Sequence, residues 1–385
     1  MMEEPDHVVE LRRQLARFVA EKATREKRRE WDRTHTFPRD LFAELAAMGL
    51  CGLTVPEEYG GSGPDILAAV AAIEELCRAG SFLAGPFIQC AFYGGMNILE
   101  NGSAEQKAAL LPGLAKGELI FAYGLSEPDV GGDLSAVTTR ARLEGDEVVL
   151  DGAKRWCTGA DFADYIYCLV RSDPEAPARS GLSFVLVPTG APGVTITPID
   201  HVNLRYTLSS DVHFDGVRLP KSAIVGGEEK WNRGWGMLAG RALDIEKLEI
   251  SACAFGLAQA ALEEAWDYAQ TRVQFGKPIS GHQAVRHALV DAKTKLEACR
   301  LMLYHATRLA NEGRPCAAET SMAKLFIGET GVEIALACQK VMGAYALSAD
   351  YDIERNVRDL LSMPIVGGSS NMQRNNLAGL WRLKG

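Results

Sequence analysis

Glu246 is the side chain whose setting invites chemistry. It lies in the run from Met237 to Gly276, MLAGRALDIEKLEISACAFGLAQAALEEAWDYAQTRVQFG. Up to Ala269 the run lacks Pro and is rich in Ala, Leu and Glu, which predicts one long helix. Helical spacing from Leu243 places Glu246, Ile250, Cys253 and Leu257 on one stripe, with Leu248, Phe255 and Leu262 down the opposite side. A helix that is apolar on two faces belongs inside a bundle. A carboxylate on a core-facing stripe is then costly without a partner. Two readings compete. In one, Glu246 sits at the edge of the stripe, solvated or paired with Lys247, Lys154 or Arg241, as most glutamates on helices are. In the other it is a general base in an apolar pocket, its proton affinity raised by desolvation, with Glu249 or Asp244 as the fallback.

Other chemistries find little support. Of seven histidines, only His282 and His287 fall close together on one predicted helix, and no Cys or carboxylate completes a ligand set, so no metal site is expected. The nine cysteines are scattered without a CxxC pair and lie mostly in apolar runs such as YIYCLV, a reduced, intracellular pattern. A net charge of -9 argues against a nucleic-acid surface. The first residues, MMEEPDHVVELRRQLARFVAEKATREKRREW, contain no apolar signal core, and no apolar run is long enough to span a bilayer. A cytoplasmic protein that stays off the membrane is expected. Neither GxGxxG after a strand nor a P-loop is present, so a Rossmann-type cofactor site is unsupported.

The elements that must position Glu246 fall into three blocks across 385 residues. Residues 1–118 read as successive helices interrupted by the Gly- and Pro-dense loop TVPEEYGGSGPD. Residues 119–226 are strand-like: LIFAYGLS, DEVVLDG, YIYCLVRS, LSFVLVP, GVTITPID and DVHFDGVRL are short β-branched and aromatic runs divided by Gly, Pro, Asp and Asn. They predict an antiparallel barrel or sandwich, because the connections are too short for crossover helices. Residues 227–385 return to helix, in four or more helices of an up-and-down bundle. The fold class is α+β, multidomain.

Three segments together resemble the acyl-CoA dehydrogenase family: YGLSEPDVGGD at 123–133, GAKRWCTGADFADYIYCLVRS at 152–172, and TRVQFGKPISGHQAVRHALVDAKTKLEACR at 271–300. The resemblance covers nearly the whole chain and implies the same order of domains, with FAD as cofactor. It implies that Tyr123, Leu125, Ser126 and Gly132 line the flavin, that Trp156 covers one side of it and that Thr158 reaches toward N5. Without the motif, Trp156 and Tyr123 would read as core packing. The resemblance assigns Arg272, Gln274, Phe275, His282 and Gln283 to the adenylate half of an FAD bound mainly to a neighbouring subunit, with Lys340 and Gly343 beside it. Arg suits that work because its planar fork pairs with pyrophosphate and keeps its charge. Ser369 and Asn371, after the C-terminal turn, are also placed on the cofactor.

The departures from the family pattern are informative. Its commonest catalytic glutamate lies in a Tyr-Glu-Gly-Thr-type turn, which here reads PIVGGSSNMQR, with Gly367 at the glutamate's place. A branch resembling isovaleryl-CoA dehydrogenase carries its base on the long helix instead, and that position is Glu246. The family's Gly-Ser-Asp becomes Gly131, Gly132 and Asp133, without the hydroxyl that contacts FAD and the pantetheine arm. KVMGAYAL at 340–347 puts Ala344 and Ala346 where glycines let a backbone approach a partner's FAD. The family's Arg after the base is Lys247, which with Asp244 and Gly132 is assigned to substrate.

The implied reaction is α,β-dehydrogenation of an acyl thioester. Glu246 takes the α-proton, the β-carbon delivers a hydride to flavin N5, and the ribityl 2'-hydroxyl and the Gly367 N–H stabilise the thioester oxygen. Acyl-CoA is the leading substrate, electron-transfer flavoprotein the expected acceptor, and a homotetramer, a dimer of dimers, the expected assembly. The alternatives are a dehydrogenase of carrier-protein-bound acyl groups, a non-catalytic FAD-binding partner subunit, and an oxygen-using flavin enzyme.

Overall fold

The computed structural model describes residues 4–80 and 82–383. The first block holds α1 (Asp6–Lys22), α2 (Arg25–Thr34), α3 (Arg39–Ala46), α4 (Ile66–Arg78), α5 (Ala84–Ile88), α6 (Asn97–Asn101) and α7 (Ala104–Ala115). The charged run after α1 does not continue it: the chain breaks at Ala23, and the Thr24 hydroxyl caps α2 by accepting from Lys27 N. Between α5 and α6, Gln89–Met96 winds as a π-helix, a form often found at functional sites.

The second block is one seven-stranded sheet of β1 (Phe121–Gly124), β2 (Arg140–Glu144), β3 (Glu147–Thr158), β4 (Tyr165–Arg171), β5 (Leu182–Pro188), β6 (Val194–Pro198) and β7 (Ser209–Pro220). Antiparallel pairing holds for β2–β3, β3–β7, β6–β7 and β4–β5. The sheet is nonetheless mixed, because β1 joins β4 in parallel and β2 meets the same strand in parallel at Arg140. The β2–β3 hairpin serves as the crossover that the short loops could not supply.

The third block contains α8 (Gly234–Leu238), α9 (Arg241–Thr271), a small hairpin of β8 (Val273–Gln274) and β9 (Lys277–Pro278), α10 (Gln283–Asn311), α11 (Ala317–Met342), α12 (Ile353–Leu360) and α13 (Ser370–Leu380). Ala239 and Gly240 separate α8 from α9, so the predicted long helix starts at Arg241. α9, α10 and α11 are long and the other three helices short, which makes the bundle less regular than four equal rods. Both predicted stripes of α9 are inward: Leu248, Phe255 and Leu257 are fully buried and Cys253 and Leu262 nearly so. Each fully buried large side chain contributes roughly 1.5–3 kcal/mol. Gly256 lets α4 cross closely, since a Cβ there would run into the Glu74 carbonyl oxygen.

Candidate active site

The N-terminus of α9 is fixed from outside the helix. Glu100, on α6, accepts from Arg241 N at 3.0 Å and Ala242 N at 2.8 Å. These are two of the amides a helix start leaves without internal partners. This carboxylate cap ties α9 to the π-helical segment that precedes α6, and so sets the first turns of α9 against Tyr93.

Glu246 is 8% exposed and makes no ion pair or hydrogen bond among the described residues. The partners considered from sequence are engaged elsewhere. Lys154 pairs with Glu127 at 2.9 Å, the Arg241 guanidinium donates to Ala310 O, and Lys247 holds Asp244 at 2.7 Å. Burial pushes the Glu246 carboxyl up to about 7, against the opposing pull of the Lys247 and Lys324 charges. Glu249, one turn on, is 1% exposed, and burial, followed by the charge of Glu246, pushes it well above the ordinary carboxylate range.

Opposite these carboxylates, Tyr93 and Tyr123 stack at 3.9 Å between ring centroids, 11° from parallel. Burial, and then Glu246 and Glu249, raise both phenols well above their usual range. Asn97 Nδ2 donates to Tyr123 Oη at 2.5 Å and fixes that ring. Tyr93, Gln89, Asn97 and Lys324 are candidate site residues that sequence reasoning missed. A lone Lys inside the apolar run SMAKLFIG was the available signal for Lys324.

The loop after β1 is held by the buried Glu127–Lys154 pair. Glu127 Oε1 accepts from Lys154 Nζ and Thr139 N, its Oε2 accepts from Thr138 N and Oγ1, and Lys154 Nζ also donates to Leu125 O. Arg155 N donates to Ser126 O at 2.9 Å. The loop carrying Leu125 and Ser126 is thereby locked to β3. Farther along β3 a bulge between Lys154 and Cys157 turns Trp156 outward, with φ 63° and 53% of its surface exposed. A bulky aromatic held in left-handed backbone and left half in solvent is the reverse of core packing. Thr158 follows, its hydroxyl 3.0 Å from Ser209 Oγ and its carbonyl accepting from Gln89 Nε2 at 2.9 Å. Gln89 Oε1 stays buried without a partner. A half-exposed indole, a locked loop and an orphaned amide oxygen fit a planar, polar-edged ring system.

The C-terminal turn packs against α11 and α9. Lys324 Nζ, 1% exposed, donates to Met363 O, just before Gly367. Gly367 has φ 59°, and a Cβ there would stand 2.8 Å from Ile250 Cγ1 on α9. Ser369 caps α13 by accepting from Met372 N at 3.3 Å, and the exposed Asn371 accepts from Arg374. The Met372 sulfur lies 3.5 Å from where a Gly132 Cβ would be, so the β-domain loop and α13 meet there.

The remaining predicted residues gather elsewhere. Arg272 lies roughly 40 Å along the α9 axis from Glu246, at 1.5 Å per residue. Its guanidinium sits over the Tyr345 ring at 5.1 Å. Phe275, 93% exposed with φ 52°, meets His282 edge to face at 5.8 Å, and His282 Nε2 lies 3.3 Å from Gln274 O. Gln283 and Lys340 are exposed, and Gly343 ends α11 with φ 64°. Of the two alanines that replace glycines, Ala346 buries its methyl inward and Ala344 faces out. One protomer therefore presents two separate sets, one around Glu246 and one around Arg272.

Known proteins are similar to this chain along nearly its whole length. The N-terminal, middle and C-terminal domain models of the acyl-CoA dehydrogenases match residues 5–118, 122–217 and 232–379. A 3-(aryl)acrylate reductase of Clostridium sporogenes is 35% identical over 96% of this chain and 97% of its own. The butyryl-CoA dehydrogenase of Megasphaera elsdenii superimposes with a TM-score of 0.94 at 27% identity, covering 99% of this chain and 100% of that one. The prolyl acyl carrier protein oxidase AnaB does so with a TM-score of 0.92 at 26% identity, covering 99% and 100%.

Proposed function

This chain belongs to the acyl-CoA dehydrogenase family, and from that premise we propose that Glu246 is the general base of its reaction. The enzyme is an FAD-dependent oxidoreductase that dehydrogenates an acyl thioester, acyl-CoA foremost, between its α- and β-carbons. The observation that carries the assignment is a single contrast. Glu246 is a buried carboxylate without an ionic partner, and the turn that could have offered another carries Gly367.

When bound, FAD supplies the acceptor for the hydride that leaves the β-carbon. Trp156, Tyr123, Leu125, Ser126 and Thr158 would hold its ring system, and Gln89 Oε1 offers it an acceptor. Glu246 removes the α-proton, and its dry setting makes it a stronger base than a solvated carboxylate. The Gly367 N–H donates to the thioester oxygen as charge gathers there, a role that survives loss of the side chain. Arg272, Gln274, Phe275, His282, Gln283 and Lys340 would serve the adenylate half of a cofactor in another subunit. The roughly 40 Å that separates Arg272 from Glu246 along α9 supports this division. With it we propose a homotetrameric, cytoplasmic enzyme that passes electrons to an electron-transfer flavoprotein.

Replacing Glu246 by Gln tests the assignment. The purified variant should remain yellow with bound FAD, while anaerobic flavin reduction by an acyl thioester falls by several orders of magnitude. Reduction at near wild-type rate would move the base elsewhere, with Glu249 the next candidate.

A second reading, in which the acyl group is tethered to a carrier protein, draws on the Asp244–Lys247 pair. That ion pair occupies both side chains assigned to substrate, and Gly132 offers no hydroxyl to a pantetheine arm. Single-turnover reduction by matched CoA and carrier-bound thioesters separates the two.

A further inference from the structure

Ser209 opens β7 directly across from Thr158 at the end of β3, and the two hydroxyls stand 3.0 Å apart. The loop that joins β6 to β7 delivers Ser209 under strain. Leu204 and Leu208 take positive φ, 45° and 37°, in a region that bulky side chains seldom enter. Such strain persists only where surrounding bonds over-determine it. Leu204 N donates to the buried Asp359 carboxylate of α12 at 2.7 Å. The Leu208 carbonyl accepts from Gly159 N at 2.7 Å, so the residue after Thr158 is clasped as well.

His201 closes this loop on itself. A backbone N–H can only donate, so the 3.0 Å contact from Ser209 N requires a bare Nε2. Nδ1 then carries the proton and donates to Asn203 O at 2.5 Å. His201 is thereby held neutral and in one tautomer. Burial, the largest influence on it, pulls the imidazole below its usual range and so favours the same form. Ser209 is fixed at both ends of its peptide, since its carbonyl accepts from Ile199 N at 2.8 Å.

We propose that Ser209, braced by His201, is a positioning residue that aims the Thr158 hydroxyl at the flavin and lets it serve either redox form. This rests on the reading that Thr158 stands beside the ring system. A threonine hydroxyl has one hydrogen to give and two lone pairs. When Ser209 donates to Thr158, the Thr158 hydrogen is free to point outward. When Ser209 accepts, Thr158 offers a lone pair instead. Flavin N5 is an acceptor in the oxidised ring and an N–H donor in the reduced one, so a hydroxyl beside it must be able to exchange these roles.

The test titrates apo protein with FAD and records the visible spectrum of the bound flavin, and neither readout needs turnover. Thr158→Val, Ser209→Ala and His201→Leu should each weaken FAD binding by about 2- to 10-fold, the worth of one hydrogen bond. All three should shift the flavin bands in the same direction. Ser209→Thr, which keeps a hydroxyl, should bind and absorb as the wild type does. Because Ser209 acts through Thr158, adding Ser209→Ala to Thr158→Val should weaken FAD no further. Losses that multiply in the double variant overturn the inference alone. So does a Ser209→Ala or His201→Leu protein with a lower apo melting temperature but unaltered FAD affinity and spectrum, the mark of a merely structural contact. An unaltered Thr158→Val protein overturns both the inference and the reading beneath it. If His201→Leu does not fold, the Ser209 and Thr158 variants decide the outcome.

Discussion

The Lys324 ammonium on α11 donates to the Met363 carbonyl oxygen across 3.1 Å. That bond fastens the turn leading to Gly367 onto the same helix bundle that carries Glu246. One cation thus serves two places: it holds the turn and its charge favours the ionised form of Glu246. The arrangement has a cost, since burial pulls the Lys324 ammonium down to about 8.

Lys324→Met removes the charge and keeps most of the volume. Glu246 then loses one of the two cations that oppose its desolvation, so its carboxyl should titrate above the wild-type value of about 7. In the wild type, flavin reduction should rise with pH through about 7 as the base ionises. In the variant the whole profile should shift to higher pH, with the rate at pH 7 reduced and partly recovered at pH 9. A stopped-flow pH series checks this. A lowered plateau with no shift would reduce Lys324 to a support for the turn.

Gly367→Glu restores the family's commoner base position in name only. The backbone there has φ 59°, a region that disfavours any Cβ. The added Cβ also meets Ile250 Cγ1 at 2.8 Å. Strain and overpacking together should destabilise the protein by about 2–4 kcal/mol. The double variant Glu246→Gln with Gly367→Glu should stay inactive. Thermal melts and single-turnover reduction of both variants check it, and recovered activity in the double variant would show that the turn can open.

How much of this was legible in the sequence depended on the range of the forces involved. The long helix and the inward stripe with Glu246 follow from local periodicity, and the structure keeps them, with a new start at Arg241. The parallel pairing of β1 with β4 was not legible, because the β2–β3 hairpin that makes the crossing is itself antiparallel. Lys324, Tyr93 and Gln89 were missed for a related reason. Each belongs to the site only because a distant segment lands beside it, and nothing in its own neighbourhood says so. Glu127 and Lys154 stood inside the quoted motifs, but their pairing joins the loop after β1 to the interior of β3, 27 residues apart.

Trp156→Gly separates stability from cofactor affinity. Glycine adopts φ 63° without the strain a Trp bears there, roughly 1–2 kcal/mol. The indole is half exposed, so little burial is lost with it. The apo variant should therefore melt at or above the wild-type apo temperature and yet purify with little FAD. Differential scanning fluorimetry on apo protein and the ratio of visible to 280 nm absorbance check this. A large fall in the apo melting temperature would mean that Trp156 is structural after all.

The Glu127–Lys154 pair makes a prediction about acid. Burial alone would raise the Glu127 carboxyl, but Lys154 and the Thr138 and Thr139 donors outweigh it and hold the group at about 2. A carboxylate lowered in the folded state stabilises the protein fully above its unfolded value, near 4.5. That stabilisation is lost as pH falls from there through about 2. Lys154→Met leaves Glu127 buried and uncompensated, which costs about 3–5 kcal/mol near neutral pH. Because the variant's remaining carboxyl is easier to protonate, its stability deficit should shrink as pH falls from 7 toward 4. Urea melts of the two proteins at pH 7, 5 and 4 check the sign. The same variant frees the loop bearing Leu125 and Ser126, so FAD retention should fall along with stability at pH 7. A deficit that stays constant across that range would show that packing around the Lys154 stem, and not its charge, holds the loop.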